Sequence, residues 1–236
     1  MSELKFICLS ETALLLSYDN SINEHQYAQL MQVKQHVEQN PFKGFVEIVP
    51  AYNSLTIYYN PHEIEKDDAN KTLQATLINI LQKQIKSLQS EKINIHSSHI
   101  EIPVCYDIEF GIDLFELSKS LNLSIKEIIQ LHNSKIYKVF MLGFTPGFGY
   151  MGIVDKKIIS QRKKQPRLKV EKGAVAIAGN QTGIYPLETP GGWNIIGRTP
   201  LQLFNKSKEH PFLLKAGDEV KFISITKEEF NHWVIK

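Results

Sequence analysis

The chain has 236 residues, of which 42% are hydrophobic and 22% are charged, a composition that is ordinary for a soluble globular protein. Its net charge of +2 excludes a global field that would draw it to nucleic acid or to an anionic membrane surface. Two cysteines are too few for a disulfide framework or a zinc cluster. The first residues lack a basic region followed by an apolar core, and no apolar run is long enough to span a membrane, so we expect a cytoplasmic protein.

The first part of the chain predicts a small α+β domain over residues 1–90. Ser21 and Glu24 form a capping-box pattern at the start of a helix that ends before Pro41. Apolar residues at helical spacing predict a second helix over 68–90. Short apolar segments predict strands at 5–9, 12–18, 44–49 and 54–59. Two strands, a helix, two strands and a helix are typical of a sheet with helices on one face.

Residues 91–236 are predicted to form a second, β-rich domain. Alternating apolar residues predict a strand over 100–106, and two helix-start patterns follow at Asp113 and Ser124. Further strands are predicted at 137–142 and 219–225. Many short strands with glycine and proline turns are typical of a closed or nearly closed barrel. Cys8 and Cys105 both lie in apolar strand patterns, which predicts that both are buried.

Glycines, prolines and aromatic residues crowd the stretch 142–204, which predicts short strands joined by tight turns. The pattern Gly-x-Gly-x-x-Gly at 147–152 is not followed by a helix start, so we reject a dinucleotide site. The glycines at 179–183 lack the Gly-Lys-Ser/Thr ending of a P-loop. The basic run at 156–172 is interpreted as a solvated loop rather than a nucleic-acid patch.

Polar side chains in this stretch are candidate binding residues. Arg167 and Arg198 could each hold a carboxylate or phosphate through paired hydrogen bonds. Gln181 and Thr182 lie between glycines, in what we expect to be a loop facing a cleft, and Thr199 adds a hydroxyl group. The expected pocket wall is Phe144, Pro146, Gly147, Phe148, Tyr150, Tyr185 and Trp193. The alternative is that glycines and prolines only shape turns, the aromatic residues fill the core, and Arg198 binds backbone carbonyls.

Four segments carry a family resemblance: LGFTPGFGYMG, QPR, AVAIAGNQTGIYP and TPGGWNIIGRTPLQLF. They resemble the family of 5-oxoprolinase B subunits, which are also known as allophanate hydrolase subunit 1. This group includes sporulation-kinase inhibitors and one part, subdomains C and D, of the carboxyltransferase region of urea carboxylase. The resemblance implies an α+β fold with a small α/β-sandwich-like domain followed by a cyclophilin-like β-barrel. The family has a histidine at the place of His132, which is either a catalytic acid or base or a hydrogen-bonded packing residue. No metal-ligand cluster is expected.

The resemblance also implies a function. It points to one component of an ATP-dependent 5-oxoprolinase, which opens the lactam of 5-oxoproline to glutamate together with the A and C subunits of that enzyme. ATP with magnesium is expected in the assembled complex, with no tightly bound cofactor and no activity of this chain alone. The first alternative is a regulator that binds a sensor histidine kinase, and another is a carboxyltransferase-like or allophanate-related role.

Overall fold

The chain divides into two compact units, residues 1–96 and 97–236. The computed structural model describes residues 4–18, 22–65, 72–88 and 97–234. The elements of the first unit are β1 (Lys5–Ser10), β2 (Ala13–Ser17), α1 (Glu24–Gln39), β3 (Phe45–Pro50), β4 (Ser54–Tyr59) and α2 (Leu73–Leu88).

The first unit is an antiparallel sheet in the order β1-β2-β4-β3, and α1 and α2 share one hydrophobic core with it. Strand β4 shows the pattern behind this arrangement. Leu55, Ile57 and Tyr59 are buried, whereas the residues between them are more exposed, because successive side chains of a strand point to opposite faces. Leu30 of α1 and Leu77 of α2 pack into the same core. The predicted order of strands and helices in this part of the chain is confirmed.

Helix α1 is capped by Asn23. Its side-chain oxygen accepts hydrogen bonds from the backbone N–H groups of His25 and Gln26, at 2.9 and 3.2 Å, which satisfies donors that have no partner within the helix. The predicted cap, Ser21, lies outside the described residues. The helix ends before Pro41, as predicted.

The prediction that Cys8 is buried is wrong, and the prediction for Cys105 is confirmed. Cys8 lies on β1, the outermost strand of its sheet, where five of the six residues are exposed. An apolar strand pattern does not distinguish an edge strand from a central one, so the sequence could not reveal this exposure. The predicted ends of the second helix, 68–71 and 89–90, lie outside the described residues.

The second unit contains the predicted barrel, which is closed by seven strands in the order β10-β7-β6-β13-β5-β12-β9. A separate two-stranded ribbon pairs β8 with β11. All neighbours in the barrel are antiparallel except β5 and β13, which pair in parallel. The elements are β5 (His99–Cys105), α3 (Leu114–Leu121), α4 (Ile125–Asn133), β6 (Ile136–Leu142), β7 (Gly149–Gly152), the 3₁₀ turn Lys156–Ile158, β8 (Arg167–Val170), β9 (Ala174–Ala178), β10 (Gln181–Ile184), β11 (Thr189–Gly191), β12 (Asn194–Arg198), β13 (Glu219–Ile225) and α5 (Lys227–Val234).

Side chains from every strand of the barrel form one hydrophobic core. The strand residues of this core are Ile102, Val104, Tyr137, Val139, Met151, Val175, Ile177, Ile184, Ile196, Val220 and Phe222. Leu114 and Leu117 of α3 and Ile128 of α4 join them. The interior of the barrel is therefore packed with side chains rather than hollow.

Both helix-start patterns in this unit lie at helix starts, and one of them forms the capping contacts that its sequence predicts. The Ser124 hydroxyl accepts a hydrogen bond from the Glu127 N–H at 3.2 Å, and the Ser124 N–H donates to the Glu127 carboxylate at 2.7 Å. This reciprocal pair is a capping box. Asp113 precedes α3, but its carboxylate makes no capping hydrogen bond. The sequence pattern therefore located the start of α3 without revealing the function of Asp113.

Two further expectations about the glycine-rich stretch are corrected. Gln181 and Thr182 begin strand β10 rather than lying in a loop, because their backbone pairs with both β7 and β9. The basic run at 156–172 is only partly a solvated loop, since it contains β8 and two cations that reach a buried carboxylate. No helix among the described residues is both long and apolar enough to cross a membrane.

Candidate functional site

The outer face of the barrel at β9 is covered by aromatic side chains and by the β8–β11 ribbon. Ala174, Ala176 and Ala178 of β9 form a small cluster with Val170 of β8 and with Phe148, Tyr185, Trp193 and Ile195. Because the alanines are small, large rings and the ribbon come close to the barrel wall. Two cavities lie on this outer face, and between them they contain most of the predicted site residues.

The first, which we call the arginine cavity, has a volume of about 450 Å³. Arg167 and Arg198 both line it, as does Lys169, so three cations face one space. Glu109 and Glu171 also line it, which partly compensates that charge. The remaining lining residues are Phe110, Ile112, Val170, Ala174 and Ile195. The two arginines that the sequence singled out therefore come together.

Arg198 is held by two contacts on the β8–β9 side of the arginine cavity. Its Nε donates to the Lys172 carbonyl at 3.0 Å, and its Nη1 lies 2.5 Å from the Glu171 carboxylate. The Glu171 side chain is 59% exposed, so this ion pair contributes at most about 1 kcal/mol. An incoming anion can replace Glu171 at little cost, while the carbonyl contact keeps the guanidinium in place.

Asp113 organises the charged groups beside the same cavity. Its carboxylate is 1% exposed and accepts hydrogen bonds from Arg167 Nη2 at 2.6 Å and from the Ile195 N–H at 2.7 Å. Lys163 Nζ lies 2.7 Å from the same oxygen that Arg167 contacts, and also bonds Glu116. Burial lowers the pKa of Lys163, but its bonds to Asp113 and Glu116 outweigh burial and leave that pKa raised. Asp113 thereby fixes two cations against the start of α3.

The second, which we call the aromatic cavity, has a volume of about 260 Å³. Five of the predicted wall residues line it: Phe144, Phe148, Tyr150, Tyr185 and Trp193. Their rings meet edge to face, with centroid separations of 4.8 Å between Phe148 and Tyr150 and 5.4 Å between Phe148 and Trp193. Such contacts are stabilising beyond simple burial. Burial raises the pKa of Tyr150 and of Tyr185, so both phenols are neutral near pH 7.

Two glycines make this ring cluster possible. A Cβ on Gly191 would lie 2.4 Å from the Tyr185 hydroxyl, and one on Gly183 would lie 2.9 Å from the Phe148 ring and 3.1 Å from that of Trp193. Neither position has room for a side chain. These glycines serve close packing of the aromatic residues rather than binding an anion through their backbone.

His132 and Thr182 lie elsewhere, buried among the core residues of the barrel. Both are fully buried, and the His132 Nε2 is 2.9 Å from the Thr182 hydroxyl, which donates to the Ala176 carbonyl at 3.1 Å. The Tyr106 hydroxyl is 2.8 Å from Nδ1 of the same ring. Burial lowers the pKa of His132 to about 3. A neutral ring with both nitrogens occupied and no exposure fits the packing interpretation better than that of a catalytic acid or base.

The remaining predicted residues line neither cavity. Thr199 is buried and accepts a hydrogen bond from the Leu201 N–H at 3.2 Å. Gln181 is half-buried at the start of β10, and Pro146 is exposed beside Gly147, whose φ of 86° requires a residue without a side chain. These residues shape the strands and turns around the cavities. Sequence reasoning missed Arg162, Lys163 and Asp113, because their importance comes from contacts between distant parts of the chain.

The described residues contain no group of three or more His, Cys, Asp or Glu side chains placed to hold a metal ion. The cations of the arginine cavity fit the anionic part of a ligand.

Comparison with known proteins agrees with this architecture. The family model for the carboxyltransferase domain, subdomain C and D, matches residues 4–214. The chain is 38% identical over 226 residues to the B subunit of 5-oxoprolinase from Bacillus subtilis (strain 168), covering 94% of this chain and 93% of that protein. It is 35% identical over 224 residues to the B subunit of 5-oxoprolinase from Escherichia coli O157:H7, covering 94% and 97%.

Solved structures extend the comparison to longer proteins. The crystal structure of TTHA0988 has a TM-score of 0.76 and 33% identity, and the match covers 90% of this chain but only 40% of that one. The urea amidolyase of K. lactis has a TM-score of 0.77 at 18% identity and shares the fold, with the match covering 98% of this chain and 15% of that one. The chain therefore belongs to the carboxyltransferase subdomain C and D family, as shown by the family match and by 35–38% identity to two relatives over 94% of its length. Its relatives include proteins named as the B subunit of 5-oxoprolinase.

Proposed function

We propose that this chain is one component of an ATP-dependent 5-oxoprolinase and acts together with the A and C subunits of that enzyme. One observation carries the proposal. Three bacterial proteins named as the B subunit of 5-oxoprolinase are 35–38% identical to this chain, over 93–97% of their own length. Similarity that extends over both units and leaves out little of either protein supports a shared role.

The arginine cavity supplies the chemistry that such a role needs. The substrate, 5-oxoproline, carries a carboxylate, and an ATP-dependent reaction also handles phosphate groups. Arg198 can exchange its exposed partner Glu171 for either anion, and its planar guanidinium binds two oxygens at once. Arg167, fixed by Asp113, provides a second cation in the same cavity.

Opening a lactam requires activation of a stable amide carbonyl. ATP would supply that activation by phosphorylating the carbonyl oxygen when it is bound in the complex. Within this chain, the cations of the arginine cavity bind and orient the anionic group and stabilise negative charge that develops nearby. The magnesium nucleotide is proposed to bind in the assembled complex.

The test is reconstitution. This chain is co-expressed with the A and C subunits, the complex is isolated by size-exclusion chromatography, and glutamate released from 5-oxoproline is measured with and without ATP. We expect this chain and the C subunit to co-elute at micromolar concentrations, and glutamate to be released only with ATP and all three chains. A wild-type complex that releases no glutamate, combined with direct inhibition of a histidine kinase's autophosphorylation by this chain, would replace the proposal with the regulator.

A further inference from the structure

The aromatic cavity differs from the arginine cavity in its charge. Its lining includes two cations, Arg162 and Lys163, and no carboxylate. Lys163 is already bound to Asp113 and Glu116. Arg162 forms no ion pair with any of the described residues, and its guanidinium carbon is 5.8 Å from the centre of the Trp193 ring. The cavity therefore combines an aromatic wall with a cation that has no acidic partner within the described parts of the chain.

The size and stiffness of the cavity restrict what it can hold. Its volume of about 260 Å³ lies below the ~300 Å³ at which pockets for drug-sized ligands begin. Phe148, Tyr185 and Trp193 are almost completely buried, so their packing makes the wall rigid. A rigid aromatic wall around so small a space favours a small, flat ligand over a bulky or branched one.

Phe144 at the rim provides an independent indication of function. Its φ is 65°, in the left-handed region that a bulky residue rarely adopts, and its side chain is 60% exposed. Such a conformation costs on the order of 1 kcal/mol or more and persists only where its surroundings impose it. The turn imposes it: the Thr145 N–H donates to the Gly143 carbonyl at 2.7 Å, and the Phe148 N–H donates to the Thr145 carbonyl at 3.0 Å. The turn thereby holds an exposed aromatic ring at the cavity mouth, where it can contact a ligand.

We propose that the aromatic cavity is a second binding site, which takes a small ring compound carrying one carboxylate. The ring lies against the aromatic wall of the cavity, the exposed Phe144 closes over its edge, and the carboxylate pairs with Arg162. The identity of the ligand rests on the proposed function, which makes it 5-oxoproline. The arginine cavity is then free for a phosphate group.

Binding to the full-length chain tests the site directly. Calorimetry compares 5-oxoproline with pyrrolidin-2-one, which has the ring without the carboxylate, and with inorganic phosphate, which has charge without the ring. We expect 5-oxoproline to bind at least tenfold more tightly than either. Arg162→Gln should weaken its binding at least tenfold and Phe144→Ala several-fold. Lys164→Gln, a neighbouring exposed cation that does not line the cavity, should leave it unchanged.

The same variants in the reconstituted three-chain enzyme separate this inference from the proposed function. We expect Arg162→Gln to raise the KM for 5-oxoproline more than it lowers kcat. An active complex whose KM is unchanged by Arg162→Gln and Phe144→Ala would overturn the binding site and leave the function standing. Binding of 5-oxoproline that depends on Arg162, in a complex that releases no glutamate, would overturn the function and leave the site standing. No saturable binding and no activity would overturn both, and equal binding of phosphate would show that the ring is not recognised, which also overturns the site.

Discussion

The two faces of strand β9 differ in what they pack against. Val175 and Ile177 belong to the barrel core, which contains side chains from all seven strands, and this core is full. Ala174, Ala176 and Ala178 belong to the aromatic cluster on the other face, where the arginine and aromatic cavities lie. One strand thus contributes large aliphatic residues to the packed interior and small residues to an outer face that aromatic rings and the β8–β11 ribbon cover. Both candidate cavities lie outside the barrel wall.

Polar groups follow the same division. In the core, His132 and Thr182 form a neutral, fully buried network. On the outer face, Asp113 holds the cations Arg167 and Lys163, whose side chains remain 27% and 20% exposed. The stability that the neutral network provides should depend on pH, because protonation would charge His132. The stability that the charged cluster provides should depend on whether each cation keeps its carboxylate. Both responses can be measured.

The largest effect is expected for Asp113→Asn. Removing the charge leaves Arg167 without its carboxylate and Lys163 with only the exposed Glu116, and it disturbs the bond to the Ile195 N–H. Removing one partner of a buried ion pair costs about 3–5 kcal/mol. Urea unfolding followed by tryptophan fluorescence reports this loss, because both tryptophans, Trp193 and Trp233, lie in the second unit.

Glu116→Gln is the matched control for that experiment. Glu116 contacts the same Lys163, but its side chain is 73% exposed, so its loss should change the free energy of unfolding by less than about 1 kcal/mol. Equal effects of the two substitutions would show that the outer cluster is no more than a surface ion pair. The contrast between charged exterior and neutral interior would then fail.

The sequence predicted the fold more completely than the site. Most strand and helix positions followed from apolar periodicity and turn residues, as the Ser124 capping box and the strand at 219–225 show. These signals are local, so they can be read one segment at a time. Strand order, the closure of the barrel and the parallel pairing of β5 with β13 depend on contacts between distant segments, and only the family resemblance suggested the barrel type.

The site residues were predicted by chemical type, and chemical type does not reveal which way a side chain points. The aromatic wall and the two arginines do line cavities. Thr182 has the same polarity as a ligand-binding residue, yet it is fully buried. Shifting by one position along a strand exchanges core and outer face, so an error in locating Gln181 and Thr182 relative to β10 placed a core residue in the cleft. Asp113 was recognised as a helix start, and its role came from partners 50 and more residues away.

The interior network predicts how stability depends on pH. Burial lowers the pKa of His132 to about 3 from its ordinary value of 6.5, so below pH 6.5 the unfolded chain binds a proton that the folded chain does not. Stability is therefore lost as pH falls from 6.5 towards 3. By proton linkage, this one group should lower the free energy of unfolding by about 2 kcal/mol between pH 7 and pH 5.

Comparison of the wild type with His132→Gln isolates that contribution, since the other titrating groups are common to both chains. If the variant fails to fold, the ring protons of His132 can be followed by NMR in the wild type. We expect their chemical shifts to stay constant from pH 8 to pH 5. A titration near pH 6.5 would mean that water reaches the ring, and the interior would no longer differ from the outer face.

The smallest effect is expected for Arg198→Lys, measured on the reconstituted three-chain enzyme. Lysine keeps the charge but loses the planar group that contacts the Lys172 carbonyl and can bind two oxygens of an anion. If Arg198 holds the substrate carboxylate or a phosphate, kcat/KM should fall roughly tenfold, which corresponds to about 1.4 kcal/mol. The melting temperature should change little, because the Glu171 pair is exposed.

Glu171→Gln is the control, since it frees Arg198 without altering it, and activity should be kept or KM lowered. A large fall in melting temperature with Arg198→Lys and unchanged activity would assign Arg198 to the support of the β8–β9 turn, and the outer face would then keep only the aromatic cavity as its binding site.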